Sequence, residues 1–262
     1  MIIGNRNFNG GTHVMAIINL TPDSFWQGSR VTADNALAAA ERAVEEGAEL
    51  LDIGAQSTRP GYTEVAADEE ISRFLRPLAE IKKRFGVPVS VDTYFEKSAR
   101  AALDAGADMI NDVWGLTHDE GMAATIARYN ASVCIMHNAK EQLSGDIWGP
   151  ISAFLSRSVD MALAAGIDKD RICLDGGIGL GFAKDREQNF ELLNGYERLS
   201  ALGYPLLLGV SRKSMFGGNV KDRLAPTVEA TRLAVKKGVL FVRVHDVKEN
   251  VRAIAEEQRE QR

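Results

Sequence analysis

Short apolar runs alternate with longer amphipathic ones along the whole chain. The short runs are His13–Asn19, Glu49–Gly54, Pro88–Val91, Asp108–Asn111, Ser132–Met136, Arg171–Leu174, Pro205–Gly209 and Val239–Val244. Most are rich in Val, Ile and Leu without polar alternation, as expected of strands buried on both faces. Between them, apolar positions at helical spacing predict helices over Ala33–Glu46, Asp68–Phe85, Phe95–Ala105, Glu120–Tyr129, Pro150–Ala165, Gln188–Leu202, Thr227–Lys236 and Lys248–Glu257. Five of these are followed by a glycine, in EEGAEL, DAGADM, AAGIDK, ALGYPL and KKGVLF, placed to take the left-handed conformation that closes a helix. Eight strand-then-helix units complete a closed (β/α)8 TIM barrel with none left over. A doubly wound open sheet is the competing arrangement. No linker-like stretch interrupts the pattern, so a single barrel domain is expected over residues 1–262.

Composition narrows the function without naming it. The 262 residues are 45 % hydrophobic and 26 % charged, which excludes a mostly disordered chain, a collagen-like chain and a disulfide scaffold. A net charge of −5 argues against partnership with nucleic acid or an anionic membrane; an anionic substrate would need local positive charge. Cys134 and Cys173 lie in apolar runs and read as reduced, buried thiols. No stretch approaches the ~20 apolar residues of a membrane span. Met1–Gly11 is polar and lacks a signal-peptide core. A cytoplasmic location is expected.

In a barrel of this kind, chemistry sits at the C-terminal ends of the strands, and polar residues concentrate there. The eight ends carry Asn19, Thr21, Asp23 and Ser24; Asp52, Gln56, Ser57, Thr58 and Arg59; Asp92; Asn111 and Asp112; Met136, His137 and Asn138; Asp175; Ser211, Arg212, Lys213 and Ser214; and Arg243, His245 and Asp246. Any one Asp or Asn here could merely cap the next helix. That reading is plausible for Asp92 and preferred for Asp246. His13 and His118 are given no role, and His137 is either a rim residue or a bonded interior one. Trp26, Trp114 and Trp148 are expected in loops or near helix starts. The combination says more than its members. Carboxylates at Asp92 and Asp175 with the amide of Asn111 suit a flat nitrogen heterocycle edged with N–H donors. Lys213 suits a ring carbonyl or nitrogen, and Arg243 suits stacking. Asn19, Arg59, Arg243 and His245 suit a phosphate-type group. There is no G-x-S-x-G elbow, HExxH or Cys/His cluster. The GGIGLG stretch follows the sixth run without the acidic residue a dinucleotide site needs.

The strings NLTPDSF, IGAQSTRPG, SVDT, INDV, MH, GVSRKS and VRVHDV, in this order and spacing, resemble the dihydropteroate synthase family over nearly the whole chain, from His13 to about Val251. The resemblance implies a (β/α)8 barrel that joins 4-aminobenzoate to 6-hydroxymethyl-7,8-dihydropterin pyrophosphate, releasing 7,8-dihydropteroate and pyrophosphate. It also implies Mg2+ and a homodimer, in a family whose enzymes are the targets of sulfonamides. Carried over position by position, it implies that Asp92, Asn111, Asp175 and Lys213 hold the pterin edge, with Met136 and Arg243 on its two faces. Asn19, Arg243 and His245 would grip the pyrophosphate, with Mg2+ near Asn19. Asp23, Phe25, Thr58, Arg59 and Pro60 would close over the site. Phe182 and Ser214 would line the aminobenzoate pocket.

The chain departs from the family in two places. After the sixth run it reads DGGIGLGF where DPGIGF is common, so Gly176 replaces a proline and two residues are added before Phe182. The first loop reads DSFWQGSR in place of DSFSDGG, and Gln56 stands where Glu is common. Three rival readings remain. A methyltransferase acting on methyltetrahydrofolate would not need STRPG or SRKS. A non-catalytic pterin-binding paralogue should have lost Asn19, Arg59 or Lys213. An enzyme acting on a phosphorylated sugar would leave Asp92, Asn111 and Asp175 without use.

Overall fold

The computed structural model describes residues 1–20, 33–56, 64–179 and 183–260. The chain begins with an antiparallel hairpin, β1 (Ile2–Ile3) and β2 (Arg6–Asn7). Eight parallel strands follow: β3 (His13–Asn19), β4 (Leu50–Gly54), β5 (Val89–Asp92), β6 (Met109–Asp112), β7 (Ser132–Met136), β8 (Ile172–Asp175), β9 (Leu206–Leu208) and β10 (Phe241–Val244). They pair in chain order and close between β10 and β3, with Phe241 opposite His13 and Val244 opposite Ala16. The closed barrel therefore holds and the open sheet does not.

Helices α1 (Ala33–Glu45), α2 (Ala67–Arg84), α3 (Glu96–Asp104), α4 (Met122–Arg128), α5 (Trp148–Ala164), α6 (Arg186–Asn194), α7 (Leu224–Lys236) and α8 (Val247–Glu260) alternate with the strands. Gly47, Gly106, Gly166, Gly203 and Gly238 all take positive φ, as the helix-closing pattern anticipates. The helix expected over Gln188–Leu202 is divided. α6 stops at Asn194 and a 3-10 turn runs from Tyr196 to Leu202, with Gly195 between them.

Alternation exists along the strands, but it separates two cores rather than core from solvent. Outward residues such as Val14, Ala16, Ile18, Leu51, Ile53, Val91, Ile110, Ile135, Leu174 and Leu208 pack with the helices in one large apolar cluster. Inward residues Met15, Leu50, Met109, Cys134, Cys173, Leu207 and Phe241 form a second cluster at the barrel floor. Ile3 and Phe8 of the N-terminal segment complete it, with Phe8 meeting the ring of Phe241 edge-on at 5.1 Å. The segment that reads as merely polar thus plugs the barrel floor with Ile3 and Phe8. Cys134 and Cys173 are free, buried and directly opposite one another on β7 and β8.

Candidate active site at the barrel mouth

Strand register sets the depth of each functional side chain. Asn19, Gly54, Asp92 and Asn111 are successive partners across β3, β4, β5 and β6, so they form one row at the mouth. Met136 and Asp175 are partners on β7 and β8. Asp92 and Asp175 each end a strand one residue beyond the apolar run that announced it. Arg243 enters deeper, opposite Met15 on the floor row. Its length carries the guanidinium across the interior, where Nε donates to Asp52 at 2.6 Å and Nη2 to Asp92 at 2.8 Å. Nη1 has no hydrogen-bond partner among the described residues. Asn111 donates to the same oxygen of Asp52 at 3.3 Å.

Asp92 is therefore no helix cap: α3 is entered through Phe95 without a side-chain cap. Asp246 also departs from expectation. Its main-chain carbonyl stands at the entry to α8, accepting from Asn250. Its carboxylate instead accepts two bonds of 2.7 Å from Arg212, pinning the SRKS turn to that helix. Asp112 caps its own turn, accepting from the main chain of Trp114 and Leu116 at 2.8 Å each.

Asp175 uses Oδ1 within the scaffold, accepting from Gly177 N–H at 2.7 Å with the Tyr196 hydroxyl 3.1 Å away. Oδ2 lies 3.5 Å from where a Cβ on Gly209 would stand and has no hydrogen-bond partner among the described residues. Lys213 folds back over this turn and donates to the carbonyl of Ile178. Gly179, at φ +63°, is there because a Cβ would come within 2.7 Å of the lysine Cδ. Met136 is buried with Tyr94 and Val113. Ser214 is exposed at the rim.

Burial sets the electrostatics. It pushes Asp92 up to about 7, against the pull of Arg243, and raises Asp175 against the pull of Lys213. It pushes Lys213 down to about 7, opposed by Asp175. Burial also works against the charge of Arg243, but Asp52 and Asp92 outweigh it and hold that group above its ordinary range. Carboxylates, amide, lysine and arginine from six strands thus share one field. Beside them, Lys184 and His137 are both buried, with Nζ 3.0 Å from Nδ1. Burial moves Lys184 down to about 8 and His137 down to about 3, so a neutral imidazole accepts from the ammonium. His137 is accordingly an interior, bonded residue.

Asn19 directs Nδ2 towards His245 Nε2 at 3.4 Å, and His245 Nδ1 meets Ser211 Oγ at 2.9 Å. The oxygen Oδ1 of Asn19 lies 3.5 Å from where a Cβ on Gly54 would stand, so the glycine leaves room beside it. Among the described residues no group of three or more His, Cys, Asp or Glu could hold a metal ion. A single neutral oxygen donor does not fit a zinc site. It does fit Mg2+, which keeps water and leans on substrate phosphates.

Asp23, Phe25, Thr58, Arg59, Pro60 and Phe182 lie outside the described residues, as does Trp26. Two residues were underread. Asp52 stands two positions before Gly54, hence on the same inward face of β4, and parity could have assigned it to the site. Tyr196 left no signal, because its role depends on where the 3-10 turn docks.

The sequence profile of the pterin binding enzyme family matches residues 15–245. The chain is 44 % identical over 261 residues to a dihydropteroate synthase of Clostridium beijerinckii, covering 97 % of this chain and 96 % of the relative. A crystal structure of dihydropteroate synthase from Clostridium difficile, obtained in the presence of pteroic acid, superposes with a TM-score of 0.93 at 42 % identity, covering 98 % of this chain and 99 % of that one. A Xanthomonas albilineans dihydropteroate synthase with 4-aminobenzoic acid superposes with a TM-score of 0.90 at 39 % identity, covering 96 % and 93 %.

Proposed function

Because the chain belongs to the dihydropteroate synthase family of pterin-binding enzymes, we propose that its barrel mouth condenses 6-hydroxymethyl-7,8-dihydropterin pyrophosphate with 4-aminobenzoate. The products are 7,8-dihydropteroate and pyrophosphate. The observation that carries the residue assignment is the convergence at one mouth of Asp52, Asp92, Asn111, Asp175 and Arg243.

Asp92, Asn111 and the free oxygen of Asp175 accept from the pterin edge, Lys213 donates to it, and Met136 and Arg243 take its faces. Asn19, Arg243 and His245 hold the pyrophosphate. Mg2+ beside Asn19 would stabilise negative charge on that leaving group when bound. The C–O bond between the pterin methylene and the pyrophosphate breaks first. The cation left behind is delocalised into the ring near two carboxylates, which lower its energy. The aryl amine, already neutral at pH 7, attacks that carbon and afterwards sheds its proton. Most of the acceleration comes from charge placement and positioning. Ser214 lines the second pocket; on the family resemblance alone, Phe182 would join it, and Asp23, Phe25, Thr58, Arg59 and Pro60 would close over the site. We also assign a second copy of this chain as partner, on the family resemblance, and the cytoplasm as compartment, which agrees with the unpaired thiols of Cys134 and Cys173.

The test is to mix the protein with the pterin pyrophosphate, Mg2+ and 4-aminobenzoate and follow dihydropteroate. Pyrophosphate release without coupled product would show a failed second pocket. Lys213→Ala and Asp92→Ala should each abolish pterin binding in calorimetry and leave the circular dichroism unchanged; unaltered affinity would overturn the assignment.

A further inference from the structure

Gly176, where the family commonly has proline, has a neighbour that excludes a ring. A Cβ at this position would stand 3.0 Å from Cε2 of Tyr196, 3.1 Å from Cδ1 of Leu199 and 3.3 Å from Cδ2 of Leu192. Gly176 is not among the glycines at positive φ, so space and not backbone conformation demands it. Its N–H, which a proline would lack, donates to the Tyr196 hydroxyl at 2.8 Å. Tyr196 is fully buried, and its hydroxyl lies 2.5 Å from the carbonyl of Leu207 and 3.1 Å from Oδ1 of Asp175.

We propose that Tyr196 is a positioning residue for the pterin site, taking both the space and the amide released at position 176 in order to orient the carboxylate of Asp175. The proposal rests on reading Asp175 as an acceptor for the pterin edge. The torsion that turns a carboxylate is broad and roughly two-fold, so a single hydrogen bond orients it poorly. Here Oδ1 has two scaffold donors within reach, Gly177 N–H and the Tyr196 hydroxyl, and Oδ2 is left for ligand. The phenol has one proton and two acceptors. With its acceptor side held by Gly176, that one proton is shared between the carbonyl of Leu207 on β9, the nearer acceptor at 2.5 Å, and Oδ1 of Asp175 on β8 at 3.1 Å, so the phenol ties the carboxylate to the neighbouring strand.

Tyr196→Phe keeps the ring and removes the hydroxyl. The expected result is a dissociation constant for the pterin pyrophosphate raised about 10-fold, the size of one lost hydrogen bond to a charged group. The KM for 4-aminobenzoate at saturating pterin should not move. Equal weakening of both substrates, or of neither, overturns the proposal. A second measurement covers poor folding of that variant. Gly176→Pro should lower the melting temperature while Tyr196 is present, and Gly176→Pro with Tyr196→Leu should melt higher than Gly176→Pro alone. A double variant no better than Gly176→Pro overturns the pairing. Asp175→Ala separates the two levels: normal pterin binding there defeats the reading of the site, whereas its loss beside a silent Tyr196→Phe defeats only the role given to Tyr196.

Discussion

The floor and the mouth of the barrel are built by the same strands, a few residues apart. Met15 and Asn19 share the inward face of β3, Leu50 and Asp52 that of β4, Met109 and Asn111 that of β6, Cys173 and Asp175 that of β8, and Phe241 and Arg243 that of β10. One short step along each strand keeps the direction of the side chain and exchanges a hydrocarbon or sulfur for a carboxylate, amide or guanidinium. At the floor, each large apolar side chain contributes roughly 1.5–3 kcal/mol by leaving water. At the mouth, desolvation of the charges offsets most of what their pairing returns. Depth along the barrel axis therefore separates stability from chemistry, and each end should respond to change in its own way.

The largest effect is expected from removing the cation that spans the two carboxylates. Arg243→Met leaves Asp52 and Asp92 buried without it, which should cost about 3–5 kcal/mol in urea unfolding at pH 8 and abolish pterin binding. Part of the lost stability should return at pH 5, where Asp92 takes up a proton. Phe8→Ala attacks the floor and should cost a similar 3–5 kcal/mol through the cavity left against Phe241. Unlike the first variant, it should leave kcat/KM per folded molecule unchanged; a parallel fall in pterin affinity would show that the two ends are not independent.

A smaller, reversible effect should follow pH in the ligand-free protein. Asp92 sits near 7 when folded, above its unfolded value near 4. The folded state then binds more protons between those values, and stability should fall as pH rises from about 4 to 7. Lys213, near 7 when folded and about 10.4 unfolded, acts oppositely: the unfolded state holds the extra proton, so stability should recover between about 7 and 10. Melting temperature should flatten on the acid limb in Asp92→Asn and on the alkaline limb in Lys213→Met. The smallest effect is expected at α6, whose capping box joins Asp185 and Gln188. Asp185→Ala should cost about 1 kcal/mol and spare the pterin affinity.

The strands were legible because each buried run is short and apolar and a glycine ends five of the intervening helices, and the mouth was legible because polar residues follow those runs directly. Boundaries erred where chemistry intervened: Asp92, Asp112 and Asp175 look like the start of a loop by polarity, yet each carries the last backbone pairing of its strand. Asp246 misled for the same reason, since a helix cap and an arginine partner look alike in one dimension.

What the chain determined alone was local: strand and helix order, the glycine stops, and which residue types reach the strand ends. Only the closed barrel decided that Arg243, opposite a floor methionine, bridges Asp52 and Asp92 from far along the chain. It likewise decided that Phe8 seals the floor and that Tyr196 fills the place of a missing ring. Contacts of that kind depend on how strand stagger and helix docking bring distant segments together in space, and spacing along the chain does not encode those distances.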